Sequence, residues 1–428
     1  MSDLFEHKSC PDGITVSSIK DRKFKSGCIV IRFILPLREE TSSAYSLLVD
    51  LLATSNRRYP SREQLTERTA ELYGSSINAF SYRVGDYQTA GLSINFIGDE
   101  YTIGGEVISL TAVQLLLDCI FDPHLENGHF SEKYFQLRRQ ELIDQIESSV
   151  NNKRQYALWR AGQKIFENEP CAYPAMGTVE TAKKVTLEDL SEAYRAMLSQ
   201  AAVDITFCGG QDTKKLEERV LEAFAGLDRS HVCEPVFYAP SPCKSRPASE
   251  EEAMDISQAK MVMAFKSGAA KPDIYAEKVM CAMFGGSPTS KLFVNVREKL
   301  SLCYYCAAGL IEGKNTILVD SGVDTDKIPT AEKEIIKQLE AMKNGDFTDE
   351  ELYNTKLYVS GAFRSNYDSM GDMNAWYFYQ FVRGTSYSPD NAAELIMSVT
   401  REDVINSAKR FELDTVYVLK PNEGGAGN

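Results

Sequence analysis

Histidine is scarce in this chain, with four among 428 residues: His7, His124, His129 and His231. No two are four apart, so no helix can present a pair of histidines to one zinc ion. Basic charge is also short, since 47 Lys and Arg stand against 61 Asp and Glu, a net charge of −14. Phosphate backbones are gripped by clustered cations, so nucleic acid is not expected as a partner. No apolar run approaches the ~18 residues of a membrane span, and no membrane partner is expected. The opening residues, MSDLFEHKSC, lack the apolar stretch of an export signal, so a cytoplasmic chain is expected. The ten cysteines are scattered, which suits reduced thiols in that compartment. Cys303 and Cys306 are the one close pair. On a regular strand they would face opposite ways, which disfavours a clip or a disulfide. Gly-x-Ser-x-Gly, Walker and dinucleotide-binding motifs are all missing.

What is present is an ordinary globular composition, 43% hydrophobic and 25% charged, in a chain long enough for two or three domains. Residues 28–36, CIVIRFILP, read as a strand. Residues 42–55 read as a helix with Leu47, Leu48, Leu51 and Leu52 along its buried stripe. A second helix runs over 61–73, opened by Ser61 and stopped by Gly74. Strands follow at 76–82 and 88–97, then helices at about 108–120 and 131–168, the latter open to interruption. A helix at 187–198, a strand at 202–208 and a helix at 214–224 complete the first half.

Residues 228–257 carry Pro235, Pro240, Pro242 and Pro247, a spacing that suits a semi-rigid linker. Beyond it the pattern repeats. Asn127-Gly128-His129-Phe130-Ser131 returns as Asn344-Gly345-Asp346-Phe347-Thr348, an offset of 217. Val185-Thr186-Leu187-Glu188-Asp189-Leu190 returns as Val399-Thr400-Arg401-Glu402-Asp403-Val404, an offset of 214. Both mark helix starts, the second as a Thr-x-x-Asp capping box. Two matches in order at nearly equal offsets point to an internal duplication. The expectation is an α+β fold of two homologous domains, 1–227 and 258–428. Each would be a mostly antiparallel mixed sheet with helices on one face, joined by the 228–257 linker.

The most distinctive stretch is FGGSPTSKLFVNVREKLSLCYY, residues 284–305. Gly285 and Gly286 with Pro288 read as a loop. A short helix follows, with Leu292, Val296 and Leu300 on one face, and then a strand over 302–308. Arg297 ends the helix and Tyr304 stands seven residues later, so a guanidinium and a phenol could converge on one space. On spacing alone, a solvated helix end and a packed aromatic are the favoured reading of the two residues.

The arrangement resembles the M16 family of zinc metallopeptidases, which includes the mitochondrial processing peptidase, pitrilysin and insulysin. The likeness is sharpest at Gly285-Gly286, Ser290-Lys291-Leu292-Phe293, Val296-Arg297-Glu298-Lys299-Leu300 and Tyr304. Ser301 replaces the glycine usual in that pattern. The resemblance implies that Arg297 and Tyr304 grip a substrate backbone opposite the zinc. The family's zinc motif, His-x-x-Glu-His, is absent. Counting from Arg58-Tyr59-Pro60, its positions hold Ser46, Val49 and Asp50, and the third ligand falls at Gln145, near Glu147. These residues do not make a metal site, so no cofactor is expected in this chain and no catalytic residue in the chain alone. The likeness extends to the YmfF-type bacterial branch, inactive relatives usually encoded beside a zinc-bearing homologue. It implies a non-catalytic subunit in a heterodimer with a zinc-bearing M16 partner, or a homodimer, acting on peptide or unfolded polypeptide. The alternative is a non-enzymatic structural or binding protein with the same fold.

Overall fold

The structure is a computed structural model, and it describes residues 4–210, 212–268 and 272–422. The chain forms two compact units. The first takes the chain up to Ser148, with Tyr173–Phe237 and Asp368–Gly384; the second takes Ser149–Ala172, Tyr238–Tyr367 and Thr385 onward.

The first unit is built on six strands: β1 (Phe5–Cys10), β2 (Ile14–Lys20), β3 (Ser26–Pro36), β4 (Ser76–Val84), β5 (Tyr87–Ile97) and β8 (Ala202–Gly209). A two-residue hairpin, β6 (Leu125–Glu126) and β7 (His129–Phe130), stands apart. The sheet order is β1-β2-β8-β3-β5-β4, antiparallel except where β2 runs parallel to β8. Helices α1 (Glu39–Leu52), α2 (Arg62–Glu71), α3 (Ser109–Phe121), α4 (Glu132–Ser149), α6 (Val179–Lys184), α7 (Leu187–Gln200) and α8 (Lys214–Phe224) also belong to this unit. Their shared core joins Ile29, Ile31 and Phe33 of β3 to Leu47, Leu48 and Leu51 of α1 and Leu116 of α3. A further helix, α12 (Met370–Arg383), covers the other face of the sheet. Its Phe378 packs on Ile34, Val84 and Ala202. Beside it the buried Arg32 donates to Asp204 (2.7 Å), Thr206 (3.2 Å), Tyr82 (3.2 Å) and Asn374 of α12. The buried cation is therefore paired and hydrogen-bonded, as burial requires.

The second unit has strands β9 (Ala248–Met254), β10 (Ala259–Lys266), β11 (Cys303–Ile311), β12 (Thr316–Val323) and β13 (Glu412–Pro421). Their order is β11-β12-β10-β13-β9, with β9 parallel to β13. That is the order of the first sheet from β4 to β2, with the same single parallel pair. Helices α9 (Ile274–Cys281), α10 (Ile328–Asn344), α11 (Asp349–Arg364), α13 (Pro389–Ser398) and α14 (Arg401–Lys409) supply the rest of this unit. Met261, Met263 and Phe265 of β10 lie in their core. The alternate residues, Val262 and Ala264, face α5 (Lys153–Ile165), whose Ala157, Ala161 and Ile165 form the matching stripe.

Each unit thus carries one helix drawn from the other half of the sequence, on the sheet face the remaining helices leave open. The expected helix over 131–168 is broken at 150–152, between α4 and α5. The expected linker is also shorter than 228–257. β9 lies within it and pairs with β13, because Ala248–Met254 alternates exposed and half-buried residues as an edge strand does. The proline-rich part before β9 has no regular structure but is tied down. Lys244 N donates to Asp414 at 2.8 Å, and Ser241 N to the Lys314 carbonyl at 3.1 Å.

Candidate functional site

β11 lies at one edge of the second sheet, and the chain enters it from two wide helical turns, 282–286 and 292–299. Both are π-helical. Leu300 N, for example, reaches back five residues to the Asn295 carbonyl at 3.2 Å. Gly285 and Gly286 therefore end a helical turn and are not a loop; the loop is only Ser287–Thr289. Neither glycine has positive φ. Gly285 is needed for space, because a Cβ there would lie 2.6 Å from Ala308 Cβ and 2.7 Å from Leu292 Cδ1. The wider turn also changes which side chains share a face. Leu292 and Val296 are fully buried, but Leu300 is half exposed at the helix end rather than in line with them.

Ser301 follows at φ 50°, the left-handed conformation glycine adopts without strain. Pairing of β11 with β12 then slips by one residue. Cys303 stands opposite Val323 and Tyr305 opposite Gly322, leaving Tyr304 as the extra residue of a β-bulge. The bulge turns Tyr304 outward, 64% exposed. It also resets the alternation, so Cys303 and Cys306 share the buried, helix-covered face instead of facing opposite ways. Each thiol reaches the other, which holds Cys303 below and Cys306 above the usual thiol range. Tyr305 turns to α5, where the Arg154 guanidinium lies 4.4 Å from its ring centre. Burial, with Asp320 adding to it, pushes the Tyr305 phenol up to about 12.

Arg297 stacks on Phe293, 4.7 Å from guanidinium carbon to ring centre. Its nearest carboxylate, Glu298, is 3.6 Å away, beyond hydrogen-bond reach. Arg297 and Tyr304 line one open pocket of about 430 Å³ with Ser301, Cys303, Asp324 and Lys327. The last two form an ion pair at 2.9 Å. Asp324 and Lys327, which come from beyond β12, belong to no motif legible in the sequence.

The zinc-motif positions lie in the first unit and look different. The Ser46 hydroxyl is buried 2.9 Å from Ser81 Oγ and 3.0 Å from the Ala175 carbonyl, with the Gln88 amide beside it. Val49 belongs to the core. Asp50 is half-buried; burial raises its carboxyl while Arg138 pulls it down. Gln145 and Glu147 are exposed on α4, and the α4 side chain that shares a cavity with Asp50 is Arg138. The third-ligand position counted from sequence, Gln145, is therefore about two helical turns from the α4 residue that shares the cavity with Asp50. A zinc ion does not fit this set. One hydroxyl is engaged, one position has no donor, and the remaining carboxylate faces a guanidinium instead of further ligands.

Comparison with known proteins agrees with this geometry. A family profile described as "Peptidase M16 inactive domain" matches residues 184–358. The chain is 26% identical, over 100% of both chains, to a Bacillus subtilis (strain 168) protein described as "Probable inactive metalloprotease YmfF". Its fold matches a conserved protein of Enterococcus faecalis V583 with a TM-score of 0.88 and 26% identity, covering 98% of this chain and 99% of that one. It also matches a peptidase M16 inactive domain from Pseudomonas fluorescens with a TM-score of 0.75 and 15% identity, covering 98% of each chain. A relative described over its whole length as a probable inactive metalloprotease, a shared fold and a ligand set that does not suit zinc point the same way: the chain is similar to the M16 peptidases, and its residues 184–358 match the profile of their inactive domain.

Proposed function

We propose that this chain is the non-catalytic subunit of a two-chain M16 peptidase in the cytoplasm, lending Arg297 and Tyr304 to a site completed by a zinc-bearing homologue. One contrast carries the reading. The metal positions offer no ligand set, with Ser46 hydrogen-bonded within the chain, Val49 in the core and Asp50 beside Arg138, while Arg297 and Tyr304 line an open pocket with no hydrogen-bond partner within the chain's described residues. An exposed tyrosine on a bulge is a poor contribution to packing and a good one to a ligand. Arg297 offers a planar fork to peptide carbonyls, and Tyr304 a hydroxyl that can donate to developing oxyanion charge. The partner would bring the metal. The two similar sheets support a common origin of the two halves by duplication.

The test is co-purification with a zinc-bearing homologue, followed by peptide turnover. In the mixed complex, Tyr304→Phe should lower kcat by about 10²–10³ without loss of assembly, because one oxyanion donor is removed. Arg297→Ala should raise KM as well, and Lys at that position should restore only part. Tyr305→Phe, whose ring packs under Arg154, should leave turnover near that of the parent. Unchanged turnover in Tyr304→Phe would sink the composite site and favour a non-enzymatic binding protein.

A further inference from the structure

A second cavity, of about 340 Å³, lies in the first unit at Asp50. Its polar walls include Asp50 of α1, Thr54 in the turn after it, Arg62 and Thr66 of α2, Asn78 of β4 and Arg138 of α4. Arg138 is fixed in position. Its Nε and Nη2 both donate to Thr54 Oγ1, at 3.0 and 2.9 Å, and its Nη1 to Glu141 at 2.6 Å. Thr54 is held in turn, donating to the Asp50 carbonyl at 2.6 Å. Arg62 differs, because its guanidinium makes no hydrogen bond or ion pair among the described residues although it lines the cavity. The helix carrying it is well anchored by the capping box of Ser61 and Gln64, and the Arg62 amide itself donates to Tyr134 Oη at 3.2 Å. One guanidinium is thus locked against the wall and a second is uncommitted across the same space, in a chain whose net charge is −14.

We infer that this cavity binds a single carboxylate, that of an acidic side chain or of a chain end in a peptide, between Arg62 and Arg138. The guanidinium fork matches the two oxygens of a carboxylate, and the Thr66 hydroxyl and Asn78 amide can donate beside it. A phosphate dianion suits the site less well. Asp50 and Glu141 match the two arginines charge for charge, so a dianion would meet more repulsion there than a single carboxylate. A metal or an amine is disfavoured by the same two arginines. Asp50 is the acidic side chain in the cavity wall, so it should weaken the anion it faces. The inference rests on the peptide-binding reading above, but the pocket and the residues are separate from Arg297 and Tyr304.

Four fluorescent octapeptides test it by anisotropy with the full-length protein. They are identical except for Glu or Gln at one central position and a free or amidated C-terminus. A carboxylate-bearing peptide should bind about tenfold tighter than the fully neutral one, the scale of one charge-assisted bidentate contact. Whether the gain follows Glu or the free terminus identifies the source. Arg62→Gln should erase that gain with little change in thermal midpoint, because its side chain supports nothing else. Asp50→Asn should enlarge the gain, a response that a purely structural role would not give. Equal binding of all four peptides, or a gain that survives Arg62→Gln, overturns the carboxylate site and leaves the peptide-binding reading standing. Binding of no peptide at all removes both.

Discussion

Ser301 holds φ 50° immediately before the bulge that turns out Tyr304. Replacing it by glycine relieves a left-handed residue at the cost of some unfolded-chain entropy. Ser301→Gly should therefore raise stability by up to about 1 kcal/mol, read as a higher urea midpoint. A lower midpoint would mean the serine side chain contributes more than its backbone costs. Glu277 of α9 gives a second prediction. It is fully buried, its carboxylate oxygens have no hydrogen-bond partner, and Arg410 lies 3.4 Å away. Burial raises it from the usual 4.5 to about 7, with Arg410 opposing. The folded state then keeps a proton that the unfolded chain gives up. The stability this group contributes is whole below about pH 4.5 and is lost as pH rises to about 7, at about 1.4 kcal/mol per unit. Glu277→Gln should flatten that decline in denaturant titrations across the window; an unchanged slope would assign it elsewhere. At this scale the sequence was legible where residues act through local spacing. Arg297 and Tyr304 could be paired because seven residues separate them. Cys303 and Cys306 were misplaced because one bulge inverts every face after it, and a strand's letters do not reveal an extra residue. Arg62 and Arg138 could not be paired at all, since their meeting depends on two helices far apart in sequence.

The elements most readable in advance were those with chemical start signals. Thr186 and Thr400 both form capping boxes with Asp189 and Asp403, and Thr348 does so with Glu351. Thr400→Ala should cost about 1 kcal/mol of unfolding free energy, and Thr186→Ala a similar amount. Because the two threonines lie in different units, the double variant should show the sum. A clear departure from additivity would couple elements that share no partner. The π-helical turns escaped the sequence because their apolar residues fit an ordinary helix until Leu300, which turned out half exposed. The exchanged helices have a counterpart in the strands they cover. CIVIRFILP and AKMVMAFK are apolar at nearly every position, where a sheet covered on one face would alternate. Such strands need covering on both faces, and α12 and α5 supply the second cover. Ala161→Glu would place a charge against Val262 and Leu419, and should cost several kcal/mol if α5 is bound as described.

For the molecule as a whole, the reciprocal loan of α5 and α12 means that residues 1–227 and 258–428 are not separate folding parts. Produced alone, 258–428 should expose Val262, Ala264, Tyr417 and Leu419 as an apolar sheet face and aggregate or bind hydrophobic dye. Produced together, 1–227 and 228–428, which keeps β9 beside β13, should recover near-UV circular dichroism close to that of the intact chain. A monomeric, fully ordered 258–428 would show that α5 is dispensable. The same loan bears on how the protein is made. β8 leaves the ribosome about 160 residues before α12 begins, so the first sheet is synthesised with one face still lacking its helix. At roughly 5–20 residues per second, that face waits on the order of ten to thirty seconds. During this interval the nascent chain is a natural client for a chaperone that shields apolar surface, and slowing translation after Gly209 should lengthen its exposure.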